Sequence, residues 1–119
     1  MKMAGTILIA EKVGLPLGSF GLYYLIERIR TEFDDKDEMF KKEIYETLDD
    51  QGMPFIVLNR QKKVGFNAFV RAAERAYDKA RHEEAFSRYG HLWEPLFDLL
   101  KADPRYDTNR LGPIGGADP

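Results

Sequence analysis

The sequence predicts an α+β fold, with about four main helices packed on a small sheet formed by an N-terminal strand and a β-hairpin. Three observations carry this expectation. A β-branched apolar run, Thr6 to Ala10, is bounded by glycine and is too brief for a helix. Apolar residues then recur at steps of three and four, first at Leu22, Ile26, Ile29 and Phe33 and again at Phe40, Ile44 and Leu48. Each set falls on one helical stripe. Last, "PFIVLNRQKKVGF" holds two short segments, Phe55 to Leu58 and Lys63 to Phe66, around "NRQK". That is the pattern of two strands joined by a turn, although the Asn-Gly or Asp-Gly of a tight turn is absent.

Taken in order, Thr6 to Ala10 is the first strand, and "GLPLGSFG" is a turn that lets Leu15 and Leu17 pack. Ser19 is placed to cap the first helix. The run "FDDKDE" interrupts it, and Asp35 or Asp37 caps a second helix that Gly52 and Pro54 stop. After the hairpin a third helix runs from Asn67 to about Arg81, and a fourth covers Leu92 to Lys101. "ADP" then restarts the chain as a short turn, with Asp103 as cap and Pro104 in the first helical position. Residues 1–112 are expected to form one compact domain, and residues 113–119, "PIGGADP", a flexible tail with too little to bury.

Composition narrows the function classes. A chain of 119 residues with 44% hydrophobic and 32% charged residues can bury one core without staples. Without cysteine, disulfides and thiolate metal sites are excluded, which fits a cytoplasmic protein. The opening "MKMAGTILIA" carries a lysine and a short apolar run, but Glu11 and Lys12 end it well short of the roughly 20 residues of a membrane helix. A first strand is therefore expected there rather than a signal peptide, and no membrane association.

The stretch "WEPLFDLLKADPRYDTNRLG", Trp93 to Gly112, resembles the closing segment of some bacterial regulators and cyclases built from tetratricopeptide-type repeats. The helix-pair repeats of that family are missing upstream, so no function is carried across.

Catalytic and cofactor signatures are incomplete. "GLPLGSFG" sits between a strand and a helix, where backbone amides attract phosphate. Gly14 and Gly18 enclose three residues rather than the four of a P-loop, no lysine follows, and Pro16 removes an amide. The acids Asp34, Asp35, Asp37 and Glu38 meet Met39 and Phe40 where a calcium loop stays polar. His82 and His91 lie on separate elements and make no zinc motif. Neither Ser19 nor Ser87 sits in a nucleophile elbow. No cofactor, metal or catalytic residue is expected.

Charge is the stronger signal. Residues 27–50 carry ten acids and five bases, a net of −5, whereas residues 51–82 carry two acids and seven bases, a net of +5. At about 100° per residue, the third helix puts Phe66, Phe69, Val70, Ala73, Tyr77 and Ala80 on one side and Arg71, Arg75, Lys79 and His82 on the other. By elimination the chain is expected to be a small non-catalytic protein-binding module. The preferred version is a bacterial-type inhibitor or immunity protein that occludes the active site of one toxin-type partner. Its acidic face, Asp34, Asp35, Asp37, Glu38, Asp49 and Asp50, would meet the basic active site of a nuclease-type toxin. The alternatives are a nucleic-acid-binding accessory domain using Arg60, Lys63, Arg71, Arg75 and Lys79, or an anion-binding domain at Gly18 to Phe20. Of the adjacent Tyr23 and Tyr24, one ring is expected nearer solvent, as an anchor for a partner.

Overall fold

A computed structural model describes residues 4–107. The expected tail, 113–119, and the domain limit at 112 lie outside the described residues.

Alternation builds the first strand, β1 (Ala4–Ala10), which sends Ile7 and Ile9 into the core and leaves Thr6 and Leu8 on the opposite face. Glu11 and Lys12 turn the chain back into β2 (Val13–Gly18), with Lys12 at φ 68° in the connection. Pairing is antiparallel, and Leu15 faces Ile7 while Leu17 faces Gly5, so both leucines share the inner face and pack on the core. The hairpin therefore lies here. The segment read as a turn is an edge strand, where Pro16 is tolerated because an edge has a side that needs no N–H.

Helix α1 (Ser19–Arg30) buries Leu22, Ile26 and Ile29 of the predicted stripe, with Leu25 beside them, and ends before Phe33. Gly18 rather than Ser19 is the cap residue. A 3₁₀ turn, Asp35–Asp37, leads to α2 (Glu38–Ile44) and α3 (Glu46–Gln51), which the sequence reading joined as one helix. Tyr45 separates them. Its buried hydroxyl donates to Ile26 O at 2.6 Å, and burial pushes the phenol above its ordinary pKa. Gly52, at φ 68°, ends α3 in the left-handed conformation that glycine adopts without strain.

Strand β3 (Phe55–Val57) joins the other side of β1 in parallel, with Ile56 beside Ile7, and the sheet order is β2-β1-β3. Gly5 permits this approach, since a Cβ there would collide with Pro54 O. Lys63 to Phe66, expected as the second arm of a hairpin, is instead the first turn of α4 (Lys63–Ala80). A helix start suits it better, because Phe66 lies in phase with Phe69, Val70 and Ala73 on the buried face. Beyond α4 lie α5 (Phe86–Tyr89) and α6 (Trp93–Ala102).

Among the described residues, four helices of seven residues or more thus pack with a three-stranded sheet, the α+β class expected. Helix α1 packs on β1 and β2, α4 packs on α1 and α2, and buried Ala72, Ala73, Ala76 and Ala80 keep the α4 backbone close to its neighbours. Aromatic rings lock α6 to the rest. Trp93 donates its indole N–H to the Tyr24 hydroxyl at 3.0 Å, while Tyr77 packs edge-on against both Trp93 and Phe97 at 5.7 Å.

After α6, Arg105 acts as a clasp. Its guanidinium donates to Leu58 O at 2.8 Å and to Gln61 O and Ile9 O at 2.7 Å, and it lies 4.3 Å over the Phe66 ring. Asp103 accepts from it through both oxygens at 2.9 Å. These hydrogen bonds hold the Asp103 carboxyl below its ordinary pKa, against the opposing effect of burial. One side chain therefore ties the ends of β1 and β3 and the entry to α4 to the C-terminal segment. The expected restart of helix at "ADP" is a turn, in which Asp103 also accepts the Arg105 backbone N–H at 2.8 Å.

Candidate partner-binding surfaces

The sequence segregates acid and base, and the fold brings the two sets together. Along α4, Arg71, Arg75 and Lys79 face the segment that follows α1. Arg71 meets Asp37 at 3.1 Å, Arg75 meets Asp34 at 3.5 Å, and Lys79 meets Glu32 at 2.9 Å. Arg75 also donates twice to Glu32 O, at 3.1 and 2.7 Å. A three-rung ladder results, with Asp37 buried inside it. Of the five bases named for nucleic acid, three are rungs, and Arg60 and Lys63 are exposed with no ion pair among the described residues.

The six acids of the acidic face divide in the same way. Asp34 and Asp37 belong to the ladder; Asp49 holds Arg30 at 3.0 Å, and Glu38 pairs with Lys41 at 3.1 Å one helical turn on. Asp35 and Asp50 are exposed and form no ion pair among the described residues. Asp35, Glu38, Asp49 and Asp50 therefore present the outward charge of this corner.

A second acidic surface was missed from sequence. Helices α4 and α6 border a groove of ≈ 660 Å³ whose floor is Tyr77, Trp93 and Phe97. Its rim carries Glu74 and Asp78 from α4 and Glu94 and Asp98 from α6. In each helix the acids are four residues apart, the spacing that stacks side chains on one face. Lys101 and His91 complete the lining at its ends. The signal was present as two i,i+4 acid pairs, each beside an aromatic residue, but the two helices had to be docked before the pairs met.

Exposed apolar side chains supply further contact points. Tyr23 is 40% exposed whereas Tyr24 is buried, the split expected of that pair, and Phe20, one turn earlier, is 80% exposed. The sheet face bearing Thr6, Leu8, Phe55 and Val57 points away from the core. The glycine-rich stretch offers no closed cradle at Gly18 to Phe20, because Gly14 to Gly18 are spent in an extended edge strand. No group of histidine, aspartate and glutamate able to hold a metal ion occurs among the described residues, and no helix among them is long and apolar enough to cross a membrane.

Comparison with known proteins places this arrangement. No protein-family model matches the chain. It is 32% identical over 103 residues to the immunity protein CdiI of Burkholderia pseudomallei, a match that covers 87% of this chain and 94% of that one. It also superposes, with a TM-score of 0.82 and 30% sequence identity, on a chain of the solved complex of the CdiA-CT toxin from Burkholderia pseudomallei E479 with its cognate CdiI immunity protein. That likeness covers 87% of this chain and 99% of the other. With a relative above 30% identity matched over nearly its full length, and the same fold, the chain belongs to the CdiI immunity-protein family.

Proposed function

We propose that this protein binds the C-terminal toxin domain of a CdiA-type protein and neutralises it by covering the active site, acting by occlusion and not by catalysis. The observation that supports the reading is the whole-domain likeness to CdiI, in sequence and in fold, rather than any local motif. It acts in the cytoplasm.

The acidic corner is the surface assigned to a nuclease-type toxin. Such an active site is basic because it holds phosphates, and a cluster of carboxylates presents the same charge to it. Asp34 and Asp37 hold the ladder and position the segment, while Asp35, Glu38, Asp49 and Asp50 face outward and steer the encounter. Co-expression with the cognate toxin domain tests this. The wild-type protein restores growth and co-purifies at one to one. Asp35→Lys with Asp50→Lys, two exposed positions outside the ladder, slows association about tenfold or more at low salt and weakens protection. Full protection and an unchanged association rate in that variant remove the corner from the interface.

A further inference from the structure

The groove between α4 and α6 combines two features that one kind of ligand satisfies together. Its floor is aromatic, with Trp93 and Phe97 stacked at 6.0 Å and Tyr77 edge-on to both. Its rim is anionic, and Asp78, Glu94 and Asp98 are exposed with no ion pair among the described residues. Four carboxylates line it against one lysine, Lys101, and one histidine, His91. Arg81 also lies near Tyr77, its guanidinium 5.8 Å from the ring centre.

An apolar side chain entering here would bury ring surface but strip water from carboxylates without replacing it. A phosphate would be repelled. A lysine ammonium would meet the charge but is a compact, strongly hydrated point that makes little of the rings. A guanidinium is planar and weakly hydrated, lies flat on an aromatic face and donates in its own plane to carboxylates around it. The solvent-open mouth admits such a group at the tip of a loop, and the volume exceeds what one side chain fills, leaving room for its backbone.

Resting on the toxin-binding reading above, we propose that the α4–α6 groove receives an arginine side chain of the CdiA-type toxin domain. Asp78, Glu94 and Asp98 accept from the guanidinium, which rests on the aromatic floor. This surface is separate from the acidic corner, since neither Asp35 nor Asp50 lines it.

Calorimetric titration with the cognate toxin domain, carrying an inactivating substitution, tests the assignment. The variant Asp78→Asn with Glu94→Gln and Asp98→Asn keeps shape and removes charge from exposed positions, so its fold is checked by an unchanged circular dichroism spectrum. Glu11→Gln with Glu84→Gln, exposed and outside the groove, controls for removing carboxylates elsewhere on the surface. The groove variant is expected to bind about tenfold more weakly or worse, with the control at wild-type affinity. An arginine-to-alanine scan of the toxin then yields one position that costs affinity against wild type but little against the groove variant, the mark of a coupled pair. Groove-variant affinity within threefold of wild type, or weakening with no coupled toxin arginine, overturns the proposal while the toxin-binding reading stands. A wild-type protein that does not bind its toxin at all is the different failure, and it removes that reading and this one with it.

Discussion

Replacing Arg105 by alanine is expected to be among the most damaging single changes in this protein, although Arg105 belongs to neither acidic surface. The side chain is largely buried, and its fork donates to three backbone carbonyls and to both oxygens of Asp103. Leu58 O keeps the Gln61 N–H as a second donor at 3.0 Å, so Gln61 O and Ile9 O are the acceptors that depend on the guanidinium more heavily. A hydrogen bond from a charged donor contributes about 1.5–3 kcal/mol, and removing one partner of a buried ion pair costs about 3–5 kcal/mol. These overlap, because the Asp103 carboxylate, 6% exposed, is left with the Arg105 backbone N–H in either description. The expected loss is therefore about 3–5 kcal/mol, against a total stability of about 5–15 kcal/mol. At about 4 °C per kcal/mol for a domain of this size, Tm falls by roughly 12–20 °C. Urea unfolding followed by circular dichroism reads it. Arg105→Lys keeps the charge but cannot span three carbonyls, and should recover less than half of the loss. A cost below about 1 kcal/mol for Arg105→Ala would show that water replaces the clasp and would refute the reasoning.

Two further stability outcomes follow from the same contacts. The Asp103 carboxyl is held below its ordinary pKa by Arg105, so its contribution is fully present above the unfolded value of about 3.9 and is lost as pH falls through the folded value. Urea midpoints should show wild type above Asp103→Asn by a constant margin from pH 7 to about pH 5 and by a shrinking margin below about pH 4. A margin that stays constant down to pH 3 would contradict the assignment. Tyr24→Phe keeps the ring stacked on Tyr89 but takes away the acceptor of the buried Trp93 N–H, for a loss of about 1–2 kcal/mol. Equal urea midpoints for the two proteins would show that the indole finds another partner.

Local periodicity carried the elements that bury one helical face. The stripes Leu22–Ile26–Ile29 and Phe66–Phe69–Val70–Ala73 were legible because burial repeats at 3.6 residues, and Gly52 was legible as a stop because a left-handed cap favours glycine. Lys63 to Phe66 was misread because four residues with two apolar positions satisfy a strand and a helix turn equally well; only the phase of Phe66 with Phe69 and Val70 separates them. β2 was missed because three glycines and a proline in Val13 to Gly21 score as a turn, and edge pairing to β1 overrides that preference. Tyr45, which lies between α2 and α3, donates its hydroxyl to Ile26, 19 residues away, a contact that no window over α2 contains. The Arg105 clasp has the same character, as its acceptors lie up to 96 residues off.

The charged surfaces illustrate why a charge count is a weaker guide to a binding face than the geometry that uses it up. From sequence, the basic stripe on α4 and the acidic run after α1 are two rival interfaces of nearly equal and opposite charge. In the fold they are one ladder, Arg71 to Asp37, Arg75 to Asp34 and Lys79 to Glu32, and much of each attraction for an outside partner is cancelled by the other. The exposed charge left over after pairing includes Asp35 and Asp50 at the corner, Asp78, Glu94 and Asp98 around the aromatic groove, and the bases Arg60 and Lys63. The ladder then has a mechanical role, since it fixes the segment between α1 and α2 against α4. A corner held in place before the encounter loses less conformational freedom on binding, and more of its charge complementarity survives as affinity.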